Sequence, residues 1–117
     1  MLAIGKRPRV YLSRVPTDMR CSFEGLSARV RNVIEQDPLS GHLFVFLNRQ
    51  RDYLKVLYWD DGGYCIWSKR LESGTFELPT SDDSHVEIDT NRLMLMIDGV
   101  SLNSVKKRRR FALKSVD

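Results

Sequence analysis

Three stretches of the chain are rich in apolar, β-branched and aromatic side chains: HLFVFLN from His42 to Asn48, YLKVLYW from Tyr53 to Trp59, and YCIWSKR from Tyr64 to Arg70. Links as short and polar as RQRD and DDGG favour antiparallel neighbours, so the three predict a meander. With Asn48 opposite Tyr53 and Trp59 opposite Tyr64, strand alternation sorts the side chains onto two faces. One face carries Leu43, Val45, Leu47, Leu54, Val56, Tyr58, Cys65 and Trp67, with Lys69 at its margin, and is expected to lie under the main helix that precedes the meander. The other carries His42, Phe44, Phe46, Asn48, Tyr53, Lys55, Leu57, Trp59, Tyr64, Ile66, Ser68 and Arg70.

Before the meander, Arg9 to Ser13 alternates as a short strand and Pro16 ends it. Thr17 or Asp18 is expected to cap a helix in which Met19, Phe23, Leu26, Val30, Val33 and Ile34 recur at helical spacing, up to the stop at Pro38 and Gly41. Gly25 weakens this helix by about 1 kcal/mol relative to Ala, so packing must hold it. After the meander, Ser73 to Pro79 reads as an edge strand with a proline stop, and Val86 to Ile88 as a further extended piece. A short helix is expected from Asp89 or Thr90 through Ile97, ending at Asp98-Gly99. The fold class is therefore α+β: a small antiparallel sheet, a three-stranded meander plus one or two edge strands, packed on one main helix, with a short C-terminal helix. Residues 1–102 form the single domain, and 103–117 a solvated basic tail.

Composition narrows this picture. A chain of 117 residues, 42% of them hydrophobic, is long enough for one modest core. No apolar run approaches the roughly 20 residues of a membrane span, and Lys6, Arg7 and Pro8 interrupt any signal-like start, so a cytoplasmic protein with no membrane partner is expected. Cys21 and Cys65 are far apart without CxxC spacing, and His42 and His85 are isolated, so no metal and no cofactor is expected. The net charge of +4 is unevenly placed. Lys6, Arg7, Arg9, Arg14 and Arg20 make one end basic and Lys106, Lys107, Arg108, Arg109, Arg110 and Lys114 the other, leaving an acidic waist, mostly between Glu72 and Asp98. Basic ends suit a polyanion, while an acidic body keeps other company.

Catalytic sets are absent. Asp60 and Asp61 precede Gly62 and Gly63, which is hairpin-turn chemistry rather than a pair of metal ligands. No serine elbow and no phosphate loop occurs, and Asp52, Asp60, Asp61 and Glu72 fall mostly in turns instead of converging on metal ions. No enzyme is expected. The mixed aromatic and cationic face has two readings: a platform where unpaired bases stack on rings beside Lys or Arg, or a second core layer roofed by the C-terminal third of the chain.

Several words of rare residues occur in a fixed order: Thr17-Asp18-Met19-Arg20, Gly41-His42-Leu43-Phe44-Val45-Phe46, Lys55 with Tyr58-Trp59-Asp60, and Lys69-Arg70-Leu71-Glu72 followed by Gly74 and Phe76. From about Val10 to Leu102 the chain resembles the small accessory protein of bacterial insertion sequences of the insertion sequence 66 type, called TnpB or the second-frame protein and unrelated to the RNA-guided nuclease of that label. The resemblance implies a role in DNA transposition beside a separate, larger transposase, and it supplies no catalytic residue. Cys21 and Ser22 depart from the Lys or Arg and small residue common there, and the basic tail lies outside the shared core.

Two functions follow as expectations. In the first, a non-catalytic accessory protein contacts DNA at transposon ends through Arg20, Arg49, Arg51, Lys55, Lys69 and Arg70, with Trp59 and Tyr64 stacking and Lys106, Lys107, Arg108, Arg109 and Arg110 adding affinity without sequence choice. In the second, the acidic region docks the element-encoded transposase or other accessory proteins without direct DNA contact.

Overall fold

The computed structural model describes residues 7–99. The expected tail and the boundary after residue 102 lie outside them. Five strands form one sheet in the order β4-β3-β2-β1-β5: β1 (Val10–Ser13), β2 (Leu43–Leu47), β3 (Tyr53–Asp60), β4 (Gly63–Arg70) and β5 (His85–Ile88). The meander keeps the expected register, with Leu47 opposite Leu54, Val56 opposite Trp67 and Trp59 opposite Tyr64. Its second turn is tight because Asp61 and Gly62 both take positive φ, +45° and +87°, the backbone signature of a two-residue primed turn.

The all-antiparallel sheet expected from the sequence is corrected at β1, which pairs parallel to β2 (Val10 opposite Leu43, Leu12 opposite Val45) and antiparallel to β5. A parallel pair needs a long crossover, and residues between Ser13 and Leu43 supply it through α1 (Phe23–Arg29) and a π-helical turn at Val30–Ile34. Ser73 to Pro79 is irregular rather than an edge strand, and the edges of the sheet are β4 and β5. Phe76 explains why the segment leaves the sheet. Its ring is fully buried while its backbone N–H donates to the Arg51 carbonyl across 2.7 Å, tying the loop to the β2–β3 turn.

Both sheet faces are covered, in the opposite sense to the one expected. Over Leu43, Val45, Leu47, Leu54 and Val56 lie Leu93, Met96 and Ile97 of α2 (Thr90–Asp98), together with Leu71 and Phe76. Over Phe44, Phe46 and Leu57 lie Leu26, Val30 and Ile34. The second face is thus a core layer, roofed by α1 and not by the C-terminal third. Phe44, Phe46 and Leu57 are fully buried there, and truncating either ring to Ala costs about 3–5 kcal/mol, which rules out an open stacking platform at the sheet centre.

The main helix begins at Phe23, later than the cap expected at Thr17 or Asp18. Asp18 instead accepts the Arg20 backbone N–H on its side chain, and Cys21 N–H closes onto the Asp18 carbonyl. Gly25 then permits close approach: a Cβ there would meet Cys21 Cβ at 3.2 Å and Sγ at 3.3 Å. The weakness read from this glycine in isolation is what lets residues 18–21 pack against the helix. By contrast α2 starts and stops as expected, with the Asp89 side chain accepting from Arg92 N–H and Gly99 in the left-handed region at the C-cap.

Candidate nucleic-acid interface

Because β1 and β2 run parallel, their C-terminal ends come to the same end of the sheet as the starts of β3 and β5 and the finish of β4. This end is where cations gather. The turn from Asn48 to Asp52 is held by the Asn48 side chain, whose Oδ1 accepts the N–H groups of Asp52 and Tyr53 while Nδ2 donates to Asp52 Oδ1 at 2.6 Å. Arg51 N–H closes onto the Asn48 carbonyl, and Arg51 sits in the left-handed region at φ +59°. Arg49 and Arg51 therefore project from a fixed turn, and both are exposed.

Two neighbouring hollows flank this turn and share Pro16, Asn48 and Arg49. The smaller, about 210 Å³, is lined by Arg14, Arg49 and Arg51 among others; the larger, about 510 Å³, by Arg29 and Arg49 together with Asp18. The guanidinium of Arg14 is fixed by donation from Nε to the Pro79 carbonyl at 3.2 Å and from Nη1 to the Asp83 carbonyl at 3.4 Å. The sequence named Arg14 only as part of a basic N-terminal stretch and did not point to Arg29 as a contact residue. Arg14 follows β1 directly, so it was findable once β1 is set parallel to β2; Arg29, in the last turn of α1, carried no such signal.

The remaining cations expected at the site divide. Arg70 is exposed, with its guanidinium 5.8 Å from the centre of the Tyr53 ring, and so belongs to this end of the sheet. Arg20 grips Asp18 through Nε and Nη2, the latter at 2.6 Å. That grip holds the Asp18 carboxyl down at about 2 and raises Arg20, while Arg29 adds a weaker pull on the same carboxyl. Lys55 points under the α1 side, where Nζ donates to the carbonyls of Met19 at 2.8 Å and Cys21 at 2.9 Å. Lys69 points to the other face and donates to the Ile97 carbonyl at 3.1 Å, at the end of α2. These two amines complete backbone hydrogen bonding that the covering elements lack.

Trp59 and Tyr64 face each other at 5.1 Å, nearly perpendicular, beside the Asp61-Gly62 turn. Six residues along β3 separate Trp59 from Tyr53, roughly 20 Å at strand rise. The expected grouping of stacking rings with Arg49, Arg51 and Arg70 is therefore not formed in space: rings and cations occupy opposite ends of the sheet. Lys106, Lys107, Arg108, Arg109 and Arg110 lie outside the described residues.

A larger hollow, about 760 Å³, lies at the far end between Arg7, Arg9, Arg92 and the start of α2. Its cations are partly matched: Arg9 lies 3.7 Å from Glu87, and its affinity for its proton is raised chiefly by a hydrogen bond with Tyr11 and then by Glu87. Asp89 is engaged as the helix cap. The smallest of these hollows, with Arg14, Arg49 and Arg51 and no carboxylate in its lining, carries more unmatched charge. Among the described residues no group of three or more His, Cys, Asp or Glu could hold a metal ion, and no helix is long and apolar enough to cross a membrane.

The described residues thus form a small α+β domain with both sheet faces covered. Comparison with known proteins places it further: the chain belongs to the family described as IS66 Orf2 like protein, which matches residues 8–107. It is 38% identical over 100 residues to the uncharacterized protein y4hO of Sinorhizobium fredii, covering 86% of this chain and 87% of that protein. To the uncharacterized protein y4jC of the same organism it is 31% identical over 108 residues, 92% of each. No solved structure matches. Membership puts the chain among accessory proteins of insertion-sequence transposition and associates it with the machinery of the element.

Proposed function

We propose that the chain is a non-catalytic accessory of transposition that contacts DNA at the element's ends, through the arginines at the turn end of its sheet. The observation that supports this most directly is Arg49, exposed on a fixed turn and shared by two hollows that also hold Arg14, Arg51 and Arg29. The Arg14 guanidinium is held in place beforehand and the backbone bearing Arg49 and Arg51 is fixed, which lowers the ordering that accompanies binding of a polyanion. Relative to the sequence expectation, Lys55 and Lys69 leave the contact set and Arg14 and Arg29 join it. A gel-shift titration of the full chain with element-end DNA at low and moderate salt tests this: a retarded complex that weakens as salt rises is expected, and no complex at low salt refutes it.

A second reading has its own support. Glu72, Glu87, Asp89 and Asp98 are exposed on the 71–98 portion, and Leu95 is 40% exposed on α2. Carboxylates disfavour DNA, and this stretch would suit a protein partner that presents basic groups, with the element's transposase as the partner to test. Co-purification of the two proteins after nuclease treatment is the expected result if docking is direct, and loss of the complex counts against it.

A further inference from the structure

Resting on the DNA-contact reading, we propose that the arginine-bearing sheet end is matched to the sugar-phosphate backbone of double-stranded DNA, gripped without base readout, and not to an unpaired strand. The inference comes from what accompanies the cations. Single-strand sites combine a basic track with aromatic rings on which successive bases stack, whereas a duplex keeps its bases stacked internally and presents phosphates outward.

Among the described residues no aromatic side chain lines either hollow around Arg49. Tyr53, the ring nearest the turn in sequence, already has Lys55 Nζ at 5.9 Å and the Arg70 guanidinium at 5.8 Å from its centre. Trp59 and Tyr64 contact each other at the opposite end of the sheet, and Phe44 and Phe46 are fully buried under α1. Arginine, by contrast, is concentrated: Arg14 is fixed by two carbonyls, and Arg49 and Arg51 stand on a turn locked by Asn48. The element that projects here is a short turn, and the two strands behind it lie inside a five-stranded sheet covered on both faces, so neither a helix nor a free two-stranded ribbon is offered to a major groove. The chemistry left to this surface is ionic contact with phosphates.

Fluorescence anisotropy with the full chain decides the matter. The probes are a 20-base-pair duplex of scrambled sequence, the element-end duplex of equal length, and each of their single strands, titrated across a salt series. We expect the duplexes to bind about tenfold tighter than the single strands, and the scrambled duplex to match the element-end duplex within about threefold, because backbone contacts carry no sequence information. Replacing Arg49 and Arg51 together (R49Q/R51N) is expected to make the slope of log affinity against log salt shallower by about 2, near 0.9 for each phosphate that is no longer neutralised. Both side chains are exposed and Asn tolerates the left-handed backbone at position 51, so this variant should melt like the parent. Equal or tighter binding of single strands overturns the inference while leaving the DNA reading intact. An unchanged duplex slope in R49Q/R51N overturns it as well, by moving the binding surface elsewhere on the chain. Absence of salt-sensitive binding to every probe defeats the underlying DNA reading itself, an outcome distinct from the other two.

Discussion

Lys55 and Lys69 leave opposite faces of two paired strands, and each ends on main-chain carbonyls of the element that covers its own face. Lys55 binds Met19 and Cys21 just ahead of α1, and Lys69 binds Ile97 in the last turn of α2. The two amines act as pins between sheet and roof. Carbonyls at a helix terminus or in a loop otherwise lack partners, and a cation at a helix C-terminus also opposes the negative end of its dipole.

Replacing Lys55 with Met keeps the hydrocarbon stem and removes both bonds. Each hydrogen bond to a charged group contributes about 1.5–3 kcal/mol, so K55M, which removes two, is expected to cost about 3 kcal/mol or more, and K69M, which removes one, about 1.5 kcal/mol. Urea unfolding with an unchanged m-value checks this. The same variants should keep the salt slope of DNA binding, which separates pinning from phosphate contact.

Acid should weaken the fold through Asp18. Its carboxyl is lowered from 3.8 to about 2 in the folded chain, chiefly by the Arg20 side-chain hydrogen bonds and next by the Arg20 backbone N–H. A group depressed on folding contributes fully above its unfolded value, and the contribution fades as pH falls through the folded value. The loss therefore occurs between about 4 and 2, and D18N should flatten that part of the stability curve. Denaturant midpoints measured every half unit of pH in that window test the sign.

Gly62 isolates a purely backbone effect. It takes φ +87°, and a Cβ placed there meets nothing within 4 Å, so G62A introduces strain without a clash. A cost of about 1–2 kcal/mol is expected from forcing an L-residue into this region, visible as a lowered melting temperature.

The tryptophans should report different environments. Trp67 packs against the cluster under α2, whereas Trp59 belongs to neither buried cluster and touches Tyr64 beside the hairpin turn. W67A is expected to cost about 3 kcal/mol and W59A about 1. An aqueous quencher such as acrylamide should reach Trp59 more readily in the W67F variant than Trp67 in the W59F variant.

Local rules carried the meander a long way. Two short links and the period-two alternation fixed which residue faces which, because a one-residue slip would turn Phe44 and Phe46 out of their layer. The same rules were silent on β1, since a parallel partner is chosen by tertiary packing and not by a turn. That one omission concealed the arginine end of the sheet: Arg14 reaches Arg49 and Arg51 only if Ser13 and Leu47 finish together. The fate of Lys55 was equally invisible in the sequence, where a lysine between Leu54 and Val56 looks like a surface cation. Its hydrogen-bonding targets belong to a loop 36 and 34 residues earlier in the chain. Assigning the roofs to the wrong faces had a related cause, because helical periodicity says which side of a helix is apolar but not which side of a sheet it will meet.

The placement of β1 bears on how the molecule is made. Val10 finds its second neighbour, Ile88, only after most of the domain has left the ribosome, and until then one flank of that strand stays open. Pairing over so long a loop slows assembly and leaves the nascent chain dependent on its final segment. A stop codon placed before residue 85 should consequently yield an aggregating product rather than a smaller working domain.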